Sequence, residues 1–346
     1  MPLLPSIFSK FCQQSRKIIK TIKNSVKEKI PFCLNRSINE KVLILIDTCD
    51  IKAFIINILY QYVKPYYIFM SKNDYPYQKE DALIKDENTI EGLSDEILSE
   101  GRIPEERLAS ISKAIHERMA RSSQHIKEPD NIDIPSMIDH TLLNPKGTMD
   151  DIKRLCDEAV RYQFFSVCVN PFYISRCKEL LHETRIKVCT VVGFPLGANM
   201  PDVKAFEAQH AESMGADEID MVINIGALKE RDLLLISEEI AGVVNATRKR
   251  TITKVILENA YLTLEEKIFG CLTAMKAGAD FVKTSTGFAP SGATIKDVAL
   301  MRYIVGEKLG VKAAGGIRDR KSVIRMIKAG ANRIGTSSSV KIVTET

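Results

Sequence analysis

The 346-residue sequence contains no tryptophan, no C-x-x-C pair and no G-x-G-x-x-G motif. Because the eight cysteines show neither paired nor zinc-ligand spacing, we interpret them as reduced intracellular thiols and expect no metal site. An open doubly wound sheet would call for the glycine motif after its first strand. Its absence argues against a dinucleotide-binding protein of that class.

Long apolar runs are also missing. A membrane-spanning helix needs about 18 uncharged apolar residues. The best stretch, residues 41–70, is interrupted by Asp47, Asp50, Lys52 and Lys64. We therefore predict no stable membrane span.

Charge is concentrated at one end of the chain. The net charge is +5, yet residues 1–40 alone hold eight Lys/Arg against Glu28 and Glu40. The remainder is near neutral, so no nucleic-acid surface is expected on the main body. Residues 8–26 place apolar side chains at helical spacing among basic ones, which is typical of an organelle-targeting or membrane-surface helix and equally of a weakly structured extension. We predict a cytoplasmic protein, with organelle targeting as the alternative.

A change in composition near residue 100 divides the chain into two predicted parts. Residues 1–103 are expected to form an N-terminal extension that is poorly structured or helical. Residues 104–346 are expected to form the catalytic domain, led by a helix at 104–122 with Leu108, Ile111, Ile115 and Met119 on one face.

Strand-like and helical segments alternate after the leading helix. Eight such strands argue for a closed (β/α)₈ TIM barrel with a parallel sheet. The predicted strands are 137–140, 166–169, 187–192, 218–224, 254–258, 281–283, 311–314 and 333–335. The predicted helices between them are 149–162, 173–182, 201–214, 230–250, 264–277, 294–309 and 320–329. A repeated tripeptide, Gly-Ala-Asp or Gly-Ala-Asn at 215–217, 278–280 and 330–332, is expected to end three helices before a strand.

Three ionisable side chains interrupt apolar strands: Asp220, Lys283 and Lys312. A buried charge is costly unless it is paired or used, and all three lie near the carboxyl ends of strands, where barrel enzymes keep their chemistry. Two lysines on neighbouring strands repel each other, so one can lose its proton and attack a carbonyl to form a Schiff base. Asp220 can then transfer protons. The pattern alone does not decide between the lysines, but the hydroxyl-rich T-S-T-G after Lys283 favours it as the nucleophile.

Glycines and hydroxyls follow the last two strands. A-G-G-I-R at 314–318 and G-T-S-S-S at 335–339 offer backbone amides at the place where these barrels bind phosphate. The sequence therefore predicts a phosphorylated small-molecule substrate.

Several motifs resemble those of the bacterial-type deoxyribose-phosphate aldolase family. They are I-D-H-T-L-L-N-P (138–145), S-V-C-V-N-P (166–171), V-V-G-F-P-L-G (191–197), E-I-D-M-V-I-N-I-G-A-L (218–228), D-F-V-K-T-S-T-G-F (280–288), G-A-T-I-K-D-V-A-L-M-R (292–302) and R-I-G-T-S-S (333–338). The resemblance covers residues 134–343 almost without gaps. It implies reversible cleavage of 2-deoxy-D-ribose 5-phosphate to acetaldehyde and D-glyceraldehyde 3-phosphate, without metal or cofactor, in deoxyribonucleotide and carbohydrate catabolism.

The resemblance also implies roles for single residues. Lys283 corresponds to the Schiff-base lysine, Lys312 to the lysine that favours its unprotonated form, and Asp220 to the proton-relay carboxylate. Substrate and phosphate positions correspond to Asp139, Thr141, Gly287, Gly315, Gly316, Ser337 and Ser338. Two alternatives stay open: a Schiff-base aldolase for another sugar phosphate, and a catalytically silent barrel whose N-terminal extension binds a membrane or partner.

Some features depart from the family pattern or lie outside it. Phe288 follows Gly287 where some members have lysine, and residues 1–100 have no counterpart. Cys168 is a candidate reactive thiol expected at the mouth, or else a buried small apolar residue. His140 neighbours Asp139, but adjacent strand residues face opposite sides, so a structural role is expected. A homodimer is the predicted assembly.

Overall fold

The computed structural model describes residues 97–98, 100–124, 132–247 and 251–345. The basic segment at 1–40, the apolar stretch at 41–70 and residues 125–131 lie outside these ranges, and so does nearly all of the predicted extension. The expectations about them stay predictions. Within the described ranges, no helix is both long enough and apolar enough to cross a membrane.

Eight parallel strands close into a barrel in chain order, and the first strand pairs with the last. This confirms the predicted TIM barrel. The strands are β1 (Ile138–Leu142), β2 (Ser166–Val169), β3 (Lys187–Val192), β4 (Glu218–Val222), β5 (Ile252–Ile256), β6 (Phe281–Lys283), β7 (Gly310–Ala314) and β8 (Arg333–Thr336).

Helices alternate with the strands and cover the outside of the barrel. They are α1 (Glu105–Gln124), α2 (Met149–Tyr162), α3 (Ile174–Leu180), α4 (Pro201–Ser213), α5 (Ile225–Lys229), α6 (Leu233–Ala246), α7 (Leu264–Lys276), α8 (Ile295–Val305), α9 (Arg320–Ala329) and α10 (Ser339–Thr344). Local sequence explains their starts. Thr148 with Asp151 forms a capping box at α2, and Thr263 with Glu266 forms one at α7. The leading helix α1 begins after Pro104 and buries Ile111 and Ile115, as predicted.

The structure differs from the prediction at four elements. The helix expected at 230–250 begins only at Leu233, because Arg231 has a positive φ of 59° and the Asp232 side chain caps α6 by accepting from Leu235 N–H. The short helix α5, which precedes Arg231, was not predicted. The strand expected to begin at Lys254 begins at Ile252. The short helix α10 was not predicted.

The repeated tripeptide has a shared structural role. Each of its glycines follows a helix with a left-handed backbone, at φ 105°, 86° and 118° for Gly215, Gly278 and Gly330. The third residue of each repeat then accepts a backbone N–H from a neighbouring strand. These bonds run from Val188 to Asp217 at 2.9 Å, from Thr253 to Asp280 at 3.0 Å and from Val311 to Asn332 at 3.0 Å.

The two faces of the barrel strands differ in chemistry. The outer faces pack apolar side chains such as Val167, Val255 and Ile334 against the helices. The interior instead holds charges: Arg333 on β8 lies 2.9 Å from Glu218 on β4, across the barrel. Because an unpaired buried ion costs several kcal/mol, every charge here needs a partner. The closed sheet thus forces a network of ion pairs along the barrel axis.

Candidate active site

Asp220 on β4 lies at the centre of the interior network. Its Oδ2 accepts from Lys283 Nζ at 2.8 Å and from Lys312 Nζ at 2.7 Å, and its Oδ1 accepts from Lys254 Nζ at 2.7 Å. Lys283 and Lys312 are register partners on neighbouring strands. The structure therefore brings together the three residues predicted from three separate strands, while their catalytic roles stay proposals.

Lys254 on β5 belongs to the same network, and the sequence reasoning missed it. Its ammonium also pairs with Glu218 at 2.7 Å, and it is the register partner of Asp220. Because the predicted strand began at Lys254, this side chain counted as a strand end. The alternation of Ile252, Lys254 and Ile256 on one strand face was the signal that could have placed it inside.

Arg333 on β8 ties the carboxylates together. Its guanidinium donates to Asp139 Oδ1 and Glu218 Oε2, both at 2.9 Å. The same group lies 3.5 Å from the ring centroid of Phe165 and 5.5 Å from that of Phe281, where cation–π attraction holds it. Sequence reasoning missed this arginine too, because it took Arg333 for the start of a strand.

The charges of the network do not balance. Among the interior side chains that the structure describes, three cations each contact two carboxylates: Lys254, Lys312 and Arg333. Lys283 contacts only Asp220. Four cations thus face three carboxylates, Asp139, Glu218 and Asp220.

Burial and ion pairing act in opposite directions on these groups. Burial alone would lower the pKa of Lys312, but attraction to Asp139 and Asp220 outweighs it and raises that pKa above its ordinary value. Burial alone would raise the pKa of Asp220, but Lys254, Lys283 and Lys312 hold it well below its usual range. In the resting site at neutral pH, Lys312 is therefore a cation and Asp220 an anion.

The glycine loops after β6 and β7 meet at the mouth. Gly287, Gly315 and Gly316 have φ values of 92°, 88° and 77°, which favour glycine. A Cβ on Gly315 would lie 3.0 Å from the Gly292 Cα and 3.5 Å from the Gly287 Cα. A side chain at Gly315 is thus excluded, because the backbones of the loops pack closely against each other here.

The two predicted serines lie at the neighbouring edge of the mouth. Ser337 and Ser338 line a cavity of about 350 Å³ together with Thr141, His140 and residues of α2. The backbone N–H of Ser338 donates to Thr336 Oγ1 at 3.0 Å. The structure thus places the predicted phosphate-binding residues in two groups, the glycines of the β6 and β7 loops and the serines after β8.

Asp139 and Thr141 occupy different settings on β1. Asp139 is fully buried, with its Oδ2 2.5 Å from Lys312 Nζ and its Oδ1 accepting from Ser166 Oγ at 2.7 Å. Thr141 Oγ1 donates to the Asp139 carbonyl oxygen at 2.7 Å and reaches the cavity. Asp139 is therefore a member of the charge network, and its predicted place near a sugar hydroxyl stays a prediction.

Cys168 is buried inside the barrel rather than exposed at its mouth. It has 0% exposure and packs with Leu143, Cys189 and Val191. A hydrogen bond from Cys189 lowers the pKa of its thiol. The environment matches the alternative of a small buried residue, and thiol reactivity stays a prediction.

His140 faces the outer side of β1, as the strand alternation predicts. Its Nε2 lies 2.7 Å from Glu158 Oε2 and its Nδ1 2.9 Å from Ser339 Oγ. Burial lowers the pKa of His140, against an opposing effect of Glu158. The ring joins α2 to α10 and does not contact the lysines.

Two triplets of metal-ligand type lie inside the barrel, each with its ligand atoms within 4.8 Å of one another: Cys168, Cys189, Asp220 and Asp139, Cys189, Glu218. Lysine and arginine already neutralise their carboxylates. Lys254 Nζ lies 3.3 Å from Cys189 Sγ and 2.7 Å from Asp220 Oδ1. A lysine ammonium is thus the cation that these side chains hold.

Comparison with known proteins covers the barrel. The sequence model of the DeoC/LacD family of aldolases matches residues 135–339. The deoxyribose-phosphate aldolase of Clostridium tetani is 53% identical over 214 residues, which are 62% of this chain and 99% of that protein. The enzyme of the same name from Thermococcus gammatolerans is 56% identical over 215 residues, 61% of this chain and 96% of that protein.

A solved structure agrees with the sequence comparison. The tetrameric deoxyribose phosphate aldolase of Aeropyrum pernix is 33% identical, with a TM-score of 0.60, and the match covers 66% of this chain and 96% of that one.

Proposed function

Because the chain belongs to the DeoC/LacD family of aldolases, we propose that it reversibly cleaves 2-deoxy-D-ribose 5-phosphate into acetaldehyde and D-glyceraldehyde 3-phosphate. The substrate is inferred from the names of the related enzymes. The observation that carries the mechanism is the buried Lys283. Its one ion-pair partner among the described residues is Asp220, which it shares with two lysines that each have a second carboxylate. Such a lyase would act in deoxyribonucleotide and carbohydrate catabolism.

Lys283 acts first as a nucleophile. Its neutral amine attacks the C1 aldehyde of the open-chain sugar, and the carbinolamine takes up one proton and loses water to give a protonated Schiff base; the final hydrolysis releases that proton. Lys312 stays charged beside it, because Asp139 and Asp220 hold its proton. Like charges on neighbouring amines disfavour each other, so Lys312 favours the neutral form of Lys283.

Carbon–carbon cleavage follows from the electron demand of the iminium nitrogen. A base takes the proton of the C3 hydroxyl, the C2–C3 bond breaks, and its electron pair moves into the iminium to form an enamine. D-Glyceraldehyde 3-phosphate leaves with the new aldehyde. The enamine then takes a proton at C2, water adds to the resulting iminium, and acetaldehyde departs as the Lys283 amine is restored. We assign the proton transfers to Asp220, by way of water.

The phosphate would lie at the mouth on the side of β7 and β8. Gly287, Gly315 and Gly316 follow β6 and β7, and the serine pair 337–338 follows β8, the next strand of the barrel. With Phe288 in place of a lysine, the site would rely on backbone amides and hydroxyls. Asp139 supports Lys312, and Thr141 is the β1 residue that would reach the sugar.

We also propose the domain bounds, the location and the assembly of the chain. We propose residues 104–346 as the catalytic domain, 1–103 as an extension, and a cytoplasmic location. Leu196, Met200 and Phe206 near and on α4 are 73%, 67% and 69% exposed, which suits a homodimer contact. Sedimentation of the purified protein tests that assembly.

A substrate panel tests the reaction itself. The purified chain should release acetaldehyde from 2-deoxy-D-ribose 5-phosphate, and much more slowly from unphosphorylated 2-deoxyribose or from ribose 5-phosphate under the same conditions. Equal rates with and without the phosphate would remove the proposed phosphate site. Preference for another aldehyde donor in the synthetic direction would reassign the substrate.

A further inference from the structure

Lys204 is a fully buried lysine that lies outside the barrel interior and has no part in the chemistry above. It lies on α4, and its Nζ donates to the carbonyl oxygens of Gly197 at 2.6 Å and Val222 at 2.8 Å. The third contact is Glu239 on α6, whose Oε2 is 2.9 Å away, and both side chains are 0% exposed. The ammonium thus joins the loop after β3 to the end of β4.

A pair of this kind adds little net stability. Desolvation costs several kcal/mol per buried ion, and replacement by apolar residues of similar size is often neutral. What an apolar pair could not reproduce is the orientation of two carbonyls by one ammonium. The contacts therefore point to positioning of the loop at residues 193–200, the β3 loop.

The β3 loop is fitted closely around this lysine. A Cβ on Gly193 would lie 2.8 Å from Lys204 Cε, and one on Gly197 would lie 2.1 Å from the Ile223 carbonyl oxygen. The Gly193 N–H donates to Glu207 Oε2 at 2.8 Å. Displacement of the Lys204 head group would therefore move the loop.

The β3 loop carries Phe194 to the mouth. Phe194 packs on the interior cluster of Leu143, Cys168, Cys189 and Val191. Its ring meets that of Phe288 edge to face, with centroids 5.4 Å apart and an interplanar angle of 89°. Because β3 and β6 are separated by β4 and β5, this ring pair crosses the carboxyl ends of the strands that carry Asp220 and Lys254.

From this chain of contacts we infer that Lys204 is a positioning residue for donor selection: through the Gly197 carbonyl it holds Phe194 against Phe288, and the ring pair limits the aldehyde beside Lys283 to two carbons. The inference rests on the proposed aldolase function. In the ring pair, Phe194 is the residue whose position is fixed by the Lys204 contacts. Phe288, the other half, is 53% exposed.

A mutant cycle tests the inference in the full chain. The readout is the ratio of kcat/KM for propanal to that for acetaldehyde, with glyceraldehyde 3-phosphate as acceptor. One methylene in an apolar pocket changes such ratios by about ten-fold or more. F194A and the double variant K204M/E239L should each raise the ratio by about ten-fold, and the triple variant should match either one, because both changes act on the same ring.

Matched variants separate positioning from general damage. K267M removes a mostly buried lysine that pairs with Asp297 on the outside of the barrel, and V160A truncates a 37% exposed valine of α2; neither should change the ratio. E239Q keeps an acceptor for Lys204 and should retain the wild-type ratio. If K204M/E239L does not fold, G197A displaces the same loop with the ion pair intact and should reproduce the raised ratio.

Failure of the inference is distinguishable from failure of the function. Wild-type protein without deoxyribose 5-phosphate cleavage overturns the function. An active wild type overturns the inference if F194A keeps the wild-type ratio, if a folded K204M/E239L or G197A does so, or if the F194A and K204M/E239L effects multiply in the triple variant.

Discussion

Lys283 and Lys312 donate to the same carboxylate oxygen, Oδ2 of Asp220, at 2.8 and 2.7 Å. Two ammonium groups on one oxygen repel each other at short range in a site with little water. Lys312 has a second carboxylate, Asp139, whereas Lys283 has no second one among the described residues. The asymmetry supports the proposed role of Lys283 as the nucleophile.

Replacement of Lys312 by methionine should move the acid limb of the pH–rate profile to higher pH by about one unit or more. The variant removes the repelling charge and frees Asp220 Oδ2, so Lys283 keeps its proton to higher pH. The rate at neutral pH should fall about ten-fold or more as a result. K296M, at an exposed position on α8, is the control and should leave the profile in place. A K312M profile superimposable on that of the wild type would remove the proposed role.

Replacement of Asp220 by asparagine should be severe for both activity and stability. Three lysines lose their shared carboxylate, and breaking a buried ion pair by removing one partner costs about 3–5 kcal/mol. Activity should fall by about 100-fold or more with the loss of the proton carrier. Denaturant unfolding and turnover check both effects. D157N, at a surface pair with Lys153, should change stability by no more than about 1 kcal/mol; a similar small change in D220N would contradict the account.

Charge changes at the base of the barrel should shift the profile in opposite directions. R333M removes one of the four cations, so Lys283 should keep its proton to higher pH. The acid limb should therefore move to higher pH. E218Q removes one of the three carboxylates, so the acid limb should move to lower pH. Both shifts should be under about one pH unit, since neither group contacts Lys283. Both variants break the contact between Arg333 and Glu218. A purely structural effect would therefore shift the acid limb in the same direction in both. The double variant should return towards the wild type.

The buried His140 should make the fold sensitive to mild acid. Its folded pKa is lowered, so below its ordinary value of about 6.5 the unfolded chain binds more protons than the folded one. Stability should be full above that pH and decline as pH falls towards the folded pKa, by at most about 1.4 kcal/mol per pH unit. Urea unfolding between pH 7.5 and 5.5 measures it. H140Q should lose this part of the slope, whereas H182Q, at a side chain 69% exposed, should retain it. Equal slopes in all three proteins would show that His140 does not carry the effect.

The sequence alone was sufficient to predict the barrel and to single out Asp220, Lys283 and Lys312, because charges inside apolar strands have few structural explanations. It was insufficient for Lys254 and Arg333, which form half of the cations in the network. Both stood at predicted strand starts, where a charge is unremarkable, and only the register shows them inside. The start of α6 at Leu233 was predicted three residues too early, because no glycine or proline marks the positive φ of Arg231.

Contacts that depend on closure were also beyond the sequence. Arg333 and Glu218 are 115 residues apart and meet only because β8 lies opposite β4. The edge-to-face pair of Phe194 and Phe288 requires both loop conformations at once. No local sequence pattern predicts the Arg333–Glu218 contact or the Phe194–Phe288 contact.

Borohydride trapping tests the central claim most directly. Wild-type protein treated with 2-deoxy-D-ribose 5-phosphate and borohydride should gain one covalent adduct, which peptide mass spectrometry should locate at Lys283. K283L should gain none, and K312M should still form it when assayed at a pH above its shifted acid limb. An adduct on Lys254 or Lys312 in active wild-type protein, or turnover with no adduct at all, would contradict the assignment of Lys283 as the Schiff-base lysine.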